Sequence, residues 1–270
     1  MLETFPHLYL VITAAVAFIL GGLVYHIILF IALPNKHQLY VWIYARRDHR
    51  KFGEPCRTDM ILDRDGFSLG YSLEKRCSLW VSYIITKGSV GVDIDRALAF
   101  YPDTDIPLTY RVKPEVFNNT GYDKGHLAPS ATVDFSKRSN VQTFAMSNIA
   151  LQHPKLNRQA WSALETIIRS WTHSKGKLFV ITGPIYGQRS KRIGDIPIPR
   201  SFYKVVYSFK HQKWIAFILP NSSVSSTKLW EYTTSVKEVE QQTGCKFLKK
   251  LSKSRAGSKT KIDVEWWKEG

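Results

Sequence analysis

Residues 8–33, LYLVITAAVAFILGGLVYHIILFIAL, contain no Lys, Arg, Asp or Glu, and His26 is their sole basic side chain. No other stretch limits the chain so strongly. As a helix rising ~1.5 Å per residue it reaches about 39 Å, enough to cross a hydrocarbon core of roughly 30 Å with tilt. A cleaved signal peptide would open on basic residues and carry a shorter apolar core. Residues 1–7 instead hold Glu3 and neither Lys nor Arg. The expectation is a tail over 1–7, a single uncleaved transmembrane helix over 8–33 and a juxtamembrane linker over 34–55. Lys36, Arg46, Arg47, Arg50 and Lys51 follow that helix and favour a cytoplasmic or matrix-like side for the rest. Large domains can translocate despite flanking charge, so the side stays open.

The remainder is rich enough to fold. Hydrophobic residues make up 44% of the chain and charged residues 22%, which excludes a disordered polyelectrolyte. There are 38 Lys and Arg against 22 Asp and Glu, a net charge of +16. Such a surface attracts polyanions, either nucleic acid or an acidic membrane face. Cys56, Cys77 and Cys245 are widely spaced and form no C-x-x-C pair, which argues against a structural zinc site. One bridge or three buried thiols would both fit.

Hydrophobic periodicity predicts a mixed α+β domain over residues 56–268. FSLGYS and SLWVSYIIT, separated by LEKRC, read as an antiparallel pair. KLFVITGPIYG and KWIAFILPN are apolar runs ending in Gly or Pro, as central strands of a buried sheet do. Over residues 156–174, Trp161, Leu164, Ile167, Ile168 and Trp171 recur at helical spacing.

The chemistry concentrates in TGYDKGHLAPSATVDFS, residues 120–136. Phosphodiester hydrolysis needs a base for water, a cation against the charge that builds on phosphorus, and donors that hold the phosphate. His126 suits the first role, since imidazole titrates near neutrality and does not repel an anionic substrate as a carboxylate would. Asn148 and Asn157 follow in MSNIALQHPKLNRQAWSALE, with Glu165 beyond. Mg²⁺ prefers oxygen ligands and keeps several waters, so one amide oxygen plus phosphate oxygens can suffice. On an α-helix, Asn157 and Glu165 would lie roughly 80° apart around the axis. That spacing suits a hydrogen bond from Glu165 to the ion's water better than a shared ligand shell. Taken singly, these residues have plainer roles: the asparagines as caps, Glu165 on a solvent face, Asp123 orienting His126 or its loop.

In combination, YDKGHLAPS followed by SNIALQHPKLNRQAWSALE resembles the DNA/RNA non-specific endonuclease family. His126 precedes Asn148 by 22 positions, and Asn157 precedes Glu165 by eight, as in that family's pattern. The likeness extends to GFSLGYSLEKRCSLWVSYIIT and DRALAFYPD upstream, and to VITGPIYG, IPIPRSFYKVV and TGCKFLKKL downstream, over about residues 63–251. The resemblance implies a central antiparallel sheet with flanking helices and a ββα-metal finger. It implies His126 as general base, Asn157 as the Mg²⁺ ligand (Mn²⁺ the alternative) and Glu165 holding water on the ion. It further implies that Asn148 steadies the loop and that Arg96 supports the phosphate. Lys124 stands where the family's usual Arg precedes Gly; it keeps the charge for substrate binding but lacks the bidentate fork. DNA and RNA are the implied substrates and a homodimer the implied assembly. A bacterial inner membrane and a mitochondrial inner membrane would both accept the anchor.

Two other readings compete. One is a catalytically inactive, membrane-tethered nucleic-acid-binding protein; the other is a phosphodiesterase acting on lipid headgroups. Binding alone would not require His126, Asn157 and Glu165 together. Lys246, Lys249, Lys250, Lys253, Arg255, Lys259 and Lys261 form a basic run that either extends the nucleic-acid footprint or is a solvated tail. Trp266 and Trp267 could dock on the domain, stack on bases or touch lipid.

Overall fold

The computed structural model describes residues 20–22, 24, 49–90, 95, 97, 99–251 and 257–269. The segment expected to anchor the chain, 8–33, lies outside these apart from Leu20, Gly21, Gly22 and Val24, which are helical. Arg96 lies outside them as well. Among the described residues no helix is long and apolar enough to cross a membrane.

One antiparallel sheet organises the domain. Its strands are β1 (Met60–Asp63), β2 (Ser68–Ser72), β3 (Cys77–Ile85), β6 (Leu178–Ile185), β9 (Ser201–Ser208), β10 (Lys213–Pro220) and β11 (Thr233–Thr234), paired in that order; two short ribbons, β4 (Asp123–His126) with β5 (Ile149–Gln152) and β7 (Arg192–Ile193) with β8 (Ile196–Pro197), stand apart from it. The hairpin expected from FSLGYS and SLWVSYIIT is β2 and β3, with Leu69 opposite Val81 and a register shift between Gly70 and Tyr71. β6 is buried along its whole length, which is why it reads as a nearly unbroken apolar run; β9 is equally buried although it carries Lys204.

Alternation along these strands divides the core into two layers. Phe202 and Val206 of β9, with Val180 of β6 and Phe217 of β10, face one side. Tyr203, Val205 and Tyr207, with Ile181 and Trp214, face the other. The first layer is covered by helix α2 (Ser162–Ser174), which buries Leu164, Ile168 and Trp171. The second is covered by helix α3 (Val236–Thr243), which inserts Val236 and Val239 and ends at Gly244 with φ 70°. An L side chain is strained at that φ, so glycine suits the turn.

The helix expected over 156–174 departs from α geometry in its first turn. Leu156–Trp161 forms a π-helical turn, and the α-helix proper begins at Ser162. Helix α1 (Lys137–Thr143) precedes it in the chain, started by a capping box of Ser136 and Ser139.

Both ends of the described domain are secured. Residues 49–55, read from sequence as linker, pack on the second layer: His49 is buried and Phe52 stacks edge-on against Phe179 at 5.8 Å. Cys56 and Cys245 are joined by a disulfide with Cα atoms 4.6 Å apart, while Cys77 is a buried free thiol. Helix α4 (Val264–Lys268) sends Trp267 into the first layer, 4.5 Å from Trp171, where its indole N–H donates to Trp214 O at 3.0 Å. Of the three uses open to VEWWKEG, docking is the one seen. A buried Trp of this kind stabilises by on the order of 3 kcal/mol. Trp266 is flanked by Lys175 and Lys213 at 4.0 and 4.5 Å from its ring. Part of the basic run is also structural, since Lys259 donates to Glu240 at 2.7 Å and to Phe247 O at 2.6 Å.

Candidate active site

A two-stranded ribbon, β4 (Asp123–His126) and β5 (Ile149–Gln152), lies against the helical segment that begins at Leu156. The ribbon and helix form a ββα unit. Pairing sets Gly125 opposite Ala150 and His126 opposite Ile149. Gly125 has a steric reason: a Cβ there would lie 2.3 Å from Gln152 Oε1 and 2.6 Å from its Cβ, and Gln152 is itself buried. The spelling Asp-Lys-Gly-His therefore brings two strands closer than any side chain at position 125 allows.

Strand alternation places Lys124 and His126 on one face of β4, and both line a cleft of about 250 Å³. Ser130, Asn157, Arg158, Trp161, Glu165 and Arg169 line it too. The His126 ring packs against Phe100 and Phe144, with centroids 5.4 and 4.9 Å away. Lys124 donates to Asn118 Oδ1 at 3.0 Å.

Asn148 takes a different place. It is fully buried and does not line the cleft. Its Oδ1 accepts from Ala128 N at 2.9 Å, and its Nδ2 donates to Ala128 O and Thr143 O, each at 2.9 Å. All its polar capacity goes to backbone, so it clamps the turn after His126 to the end of α1. Its side chain therefore holds the loop behind His126 and lines no part of the cleft.

Asn157 and Glu165 face the cleft from the helix. Asn157 Nδ2 donates to Asp123 Oδ2 at 2.9 Å, which directs its Oδ1 away from that carboxylate. Asp123 also takes both arms of Arg158, at 2.8 and 2.7 Å. Burial pushes the Asp123 carboxyl up, but the bonds from Arg158 and Asn157 outweigh it and hold the group below its ordinary value. Asp123 thus serves Asn157; no bond from it to His126 is seen among the described contacts.

The π turn answers the angular problem of the helix. Cleft-lining positions 157, 161, 165 and 169 are four apart. On a regular helix each step would drift about 40° around the axis. A wider π turn rotates less per residue and takes back part of that drift. Asn157, Trp161, Glu165 and Arg169 consequently share a wall.

Beneath Glu165 lies Lys204 of β9, fully buried, its Nζ 3.2 Å from Glu165 Oε1 and 4.3 Å from the Trp161 ring centre. Burial raises the Glu165 carboxyl above its ordinary value despite the cations nearby, and lowers the Lys204 ammonium despite Glu165. Lys204, Arg158 and Arg169 were not singled out from sequence. Lys204 carried a signal: it is the lone charge in SFYKVVYS, a strand with no solvent face.

Among the described residues no group of three or more His, Cys, Asp or Glu could hold a metal. What the cleft does offer is hard oxygen, the Asn157 amide and the Glu165 carboxylate, beside cations placed for phosphate. That donor set fits a Mg²⁺ ion that keeps most of its water.

The family model for DNA/RNA non-specific endonucleases matches residues 47–254. The chain belongs to this family. It is 30% identical over 238 residues to a nuclease of Syncephalastrum racemosum, covering 78% of this chain and 74% of that one. Human mitochondrial endonuclease G is 28% identical over 225 residues, covering 77% and 75%. A crystal structure of an EndoG/EndoGI complex superposes with a TM-score of 0.71 at 25% identity, over 79% of this chain and 96% of that one. The protein is a nuclease of α+β fold built on an antiparallel sheet, and nucleic acid is its substrate.

Proposed function

We propose that this nuclease cleaves DNA and RNA by divalent-metal-assisted hydrolysis, with His126 as general base, while tethered to a membrane through residues 8–33. One observation carries the catalytic part: His126, Asn157 and Glu165 line a single cleft although they come from a strand and two separate turns of a helix. In this reading the Asn157 amide oxygen holds Mg²⁺, with Mn²⁺ as a substitute, and Glu165 accepts hydrogen bonds from water around it. The ion, when bound, supplies positive charge against the scissile phosphate.

The side chains divide the remaining work. His126 takes a proton from the attacking water, its ring held in orientation by Phe100 and Phe144. Lys124 and Arg169 grip phosphate oxygens from either side of the cleft, and Arg96 is proposed to join them. None of these groups reads a base, in keeping with cleavage that ignores sequence. Asn148 acts at one remove by holding the loop behind His126.

Tethering rests on the uncharged run alone. Protease accessibility of the domain in sealed vesicles, from a bacterial or a mitochondrial inner membrane, assigns the side on which it works. Pairing into a homodimer is carried over from the family as a further expectation.

Plasmid nicking tests the catalytic reading. His126→Ala should lower the rate by a factor of at least ~10² while filter-binding affinity for DNA stays within twofold. Full activity in that variant, or undiminished cutting after EDTA treatment, would overturn the mechanism. A chain that holds DNA and never cuts it would support the inactive-tether alternative.

A further inference from the structure

Arg158 stands 70% exposed at the cleft, yet it spends two arms of its fork on one carboxylate. An ion pair whose arginine lies this far in solvent adds little to folding, because water and salt screen it. What a bidentate pair does fix is a plane. Asp123, free to turn about its last torsion, is held in one orientation when both oxygens meet the guanidinium. Asn157 donates to one of those same oxygens, Oδ2, at 2.9 Å.

The consequence concerns an amide. The terminal torsion of Asn is broad and nearly two-fold, so an unguided Asn157 would present Nδ2 to the cleft about as readily as Oδ1. An NH₂ group facing a cation repels it. Fixing Nδ2 on Asp123 selects the oxygen-out state, and Arg158 fixes Asp123.

We infer that Arg158 is a positioning residue for metal binding, which acts through Asp123 to hold the Asn157 amide oxygen toward the cleft. The inference rests on the reading of Asn157 as metal ligand. It differs from a direct grip of Arg158 on phosphate, which would make no demand on metal affinity in the absence of nucleic acid.

The test is Mn²⁺ binding to the purified full chain without substrate, followed by electron paramagnetic resonance of the free ion. R158Q should weaken Mn²⁺ binding about tenfold or more, the range typical for residues that orient a ligand. R158K should recover part of the loss, since one ammonium can reach one carboxylate oxygen. At saturating metal the KM of R158Q for DNA should stay within twofold of the unsubstituted chain. Unchanged Mn²⁺ affinity in R158Q with a raised KM would overturn the inference in favour of phosphate grip. N157A separates the two layers. If it loses Mn²⁺ binding while R158Q does not, only the role of Arg158 fails; if it keeps wild-type affinity, the ligand assignment fails as well.

Discussion

Glu165 meets Lys204 at 3.2 Å with the lysine fully buried, whereas Asp123 meets Arg158 at 2.7 Å with the arginine 70% exposed. Both pairs belong to the same cleft wall. Burial works against the inner pair from both ends, pushing the carboxyl up and the ammonium down. In the outer pair only the arginine stands in water, and the carboxyl, pushed up by its partial burial, is still held low by the fork and the Asn157 amide. A cation paired with a carboxylate therefore serves two purposes. The inner pair is locked in because separating it would strand a charge in the core, while the outer pair is cheap to open and useful for the direction it imposes.

The largest effect should come from breaking the inner pair on one side. Lys204→Met takes the nearest cation from the largely buried Glu165, leaving only Arg169 to act on it, and should cost about 3 kcal/mol of stability, read by chemical denaturation. Removing both charges, in a Lys204→Met, Glu165→Leu chain, should restore most of that stability and leave the nuclease inactive. A single variant as stable as the parent would show that Glu165 is not held by Lys204.

Acidification sharpens the point. A carboxyl whose folded value is raised favours the protonated form, so its contribution to stability is full below the ordinary carboxylate value. That contribution is lost as pH rises through the folded value. Without Lys204 the folded value should climb further. The deficit of Lys204→Met should accordingly be largest near neutrality and shrink as pH falls into the ordinary carboxylate range. A pH-independent deficit would place its origin in packing.

The smallest effect on stability should follow loss of the outer pair. Arg158→Gln should melt within about 2 °C of the unsubstituted protein even where its metal affinity drops. A larger fall in Tm would mean that the two pairs differ less than their exposures suggest.

Much of this was legible in the chain. Strands with no solvent face announced a buried sheet, and the hairpin over β2 and β3 was visible from its alternation. The spacing from Asn157 to Glu165, with His126 upstream, pointed at residues that line one cleft, while Asn148, 22 positions after His126, is buried behind it. What stayed hidden needed contact across sequence. Lys204 lies 39 positions beyond Glu165, and only the sheet register brings it under the helix. The π turn has no single-residue signature, so an α-helical start was the natural reading. Trp267 had three plausible fates until the core showed a place for it between Trp171 and Trp214.

The clasp between Cys56 and Cys245 joins positions 189 apart, near the two ends of the folded unit. On the chain-entropy account, closing a loop that long is worth about 5 kcal/mol, comparable with the whole margin by which a domain of this kind stays folded. The same polypeptide is thus two materials, sturdy where thiols are oxidised and marginal where glutathione holds them reduced. Its lifetime as a working nuclease should track the electron supply of its surroundings as closely as any feature of the cleft.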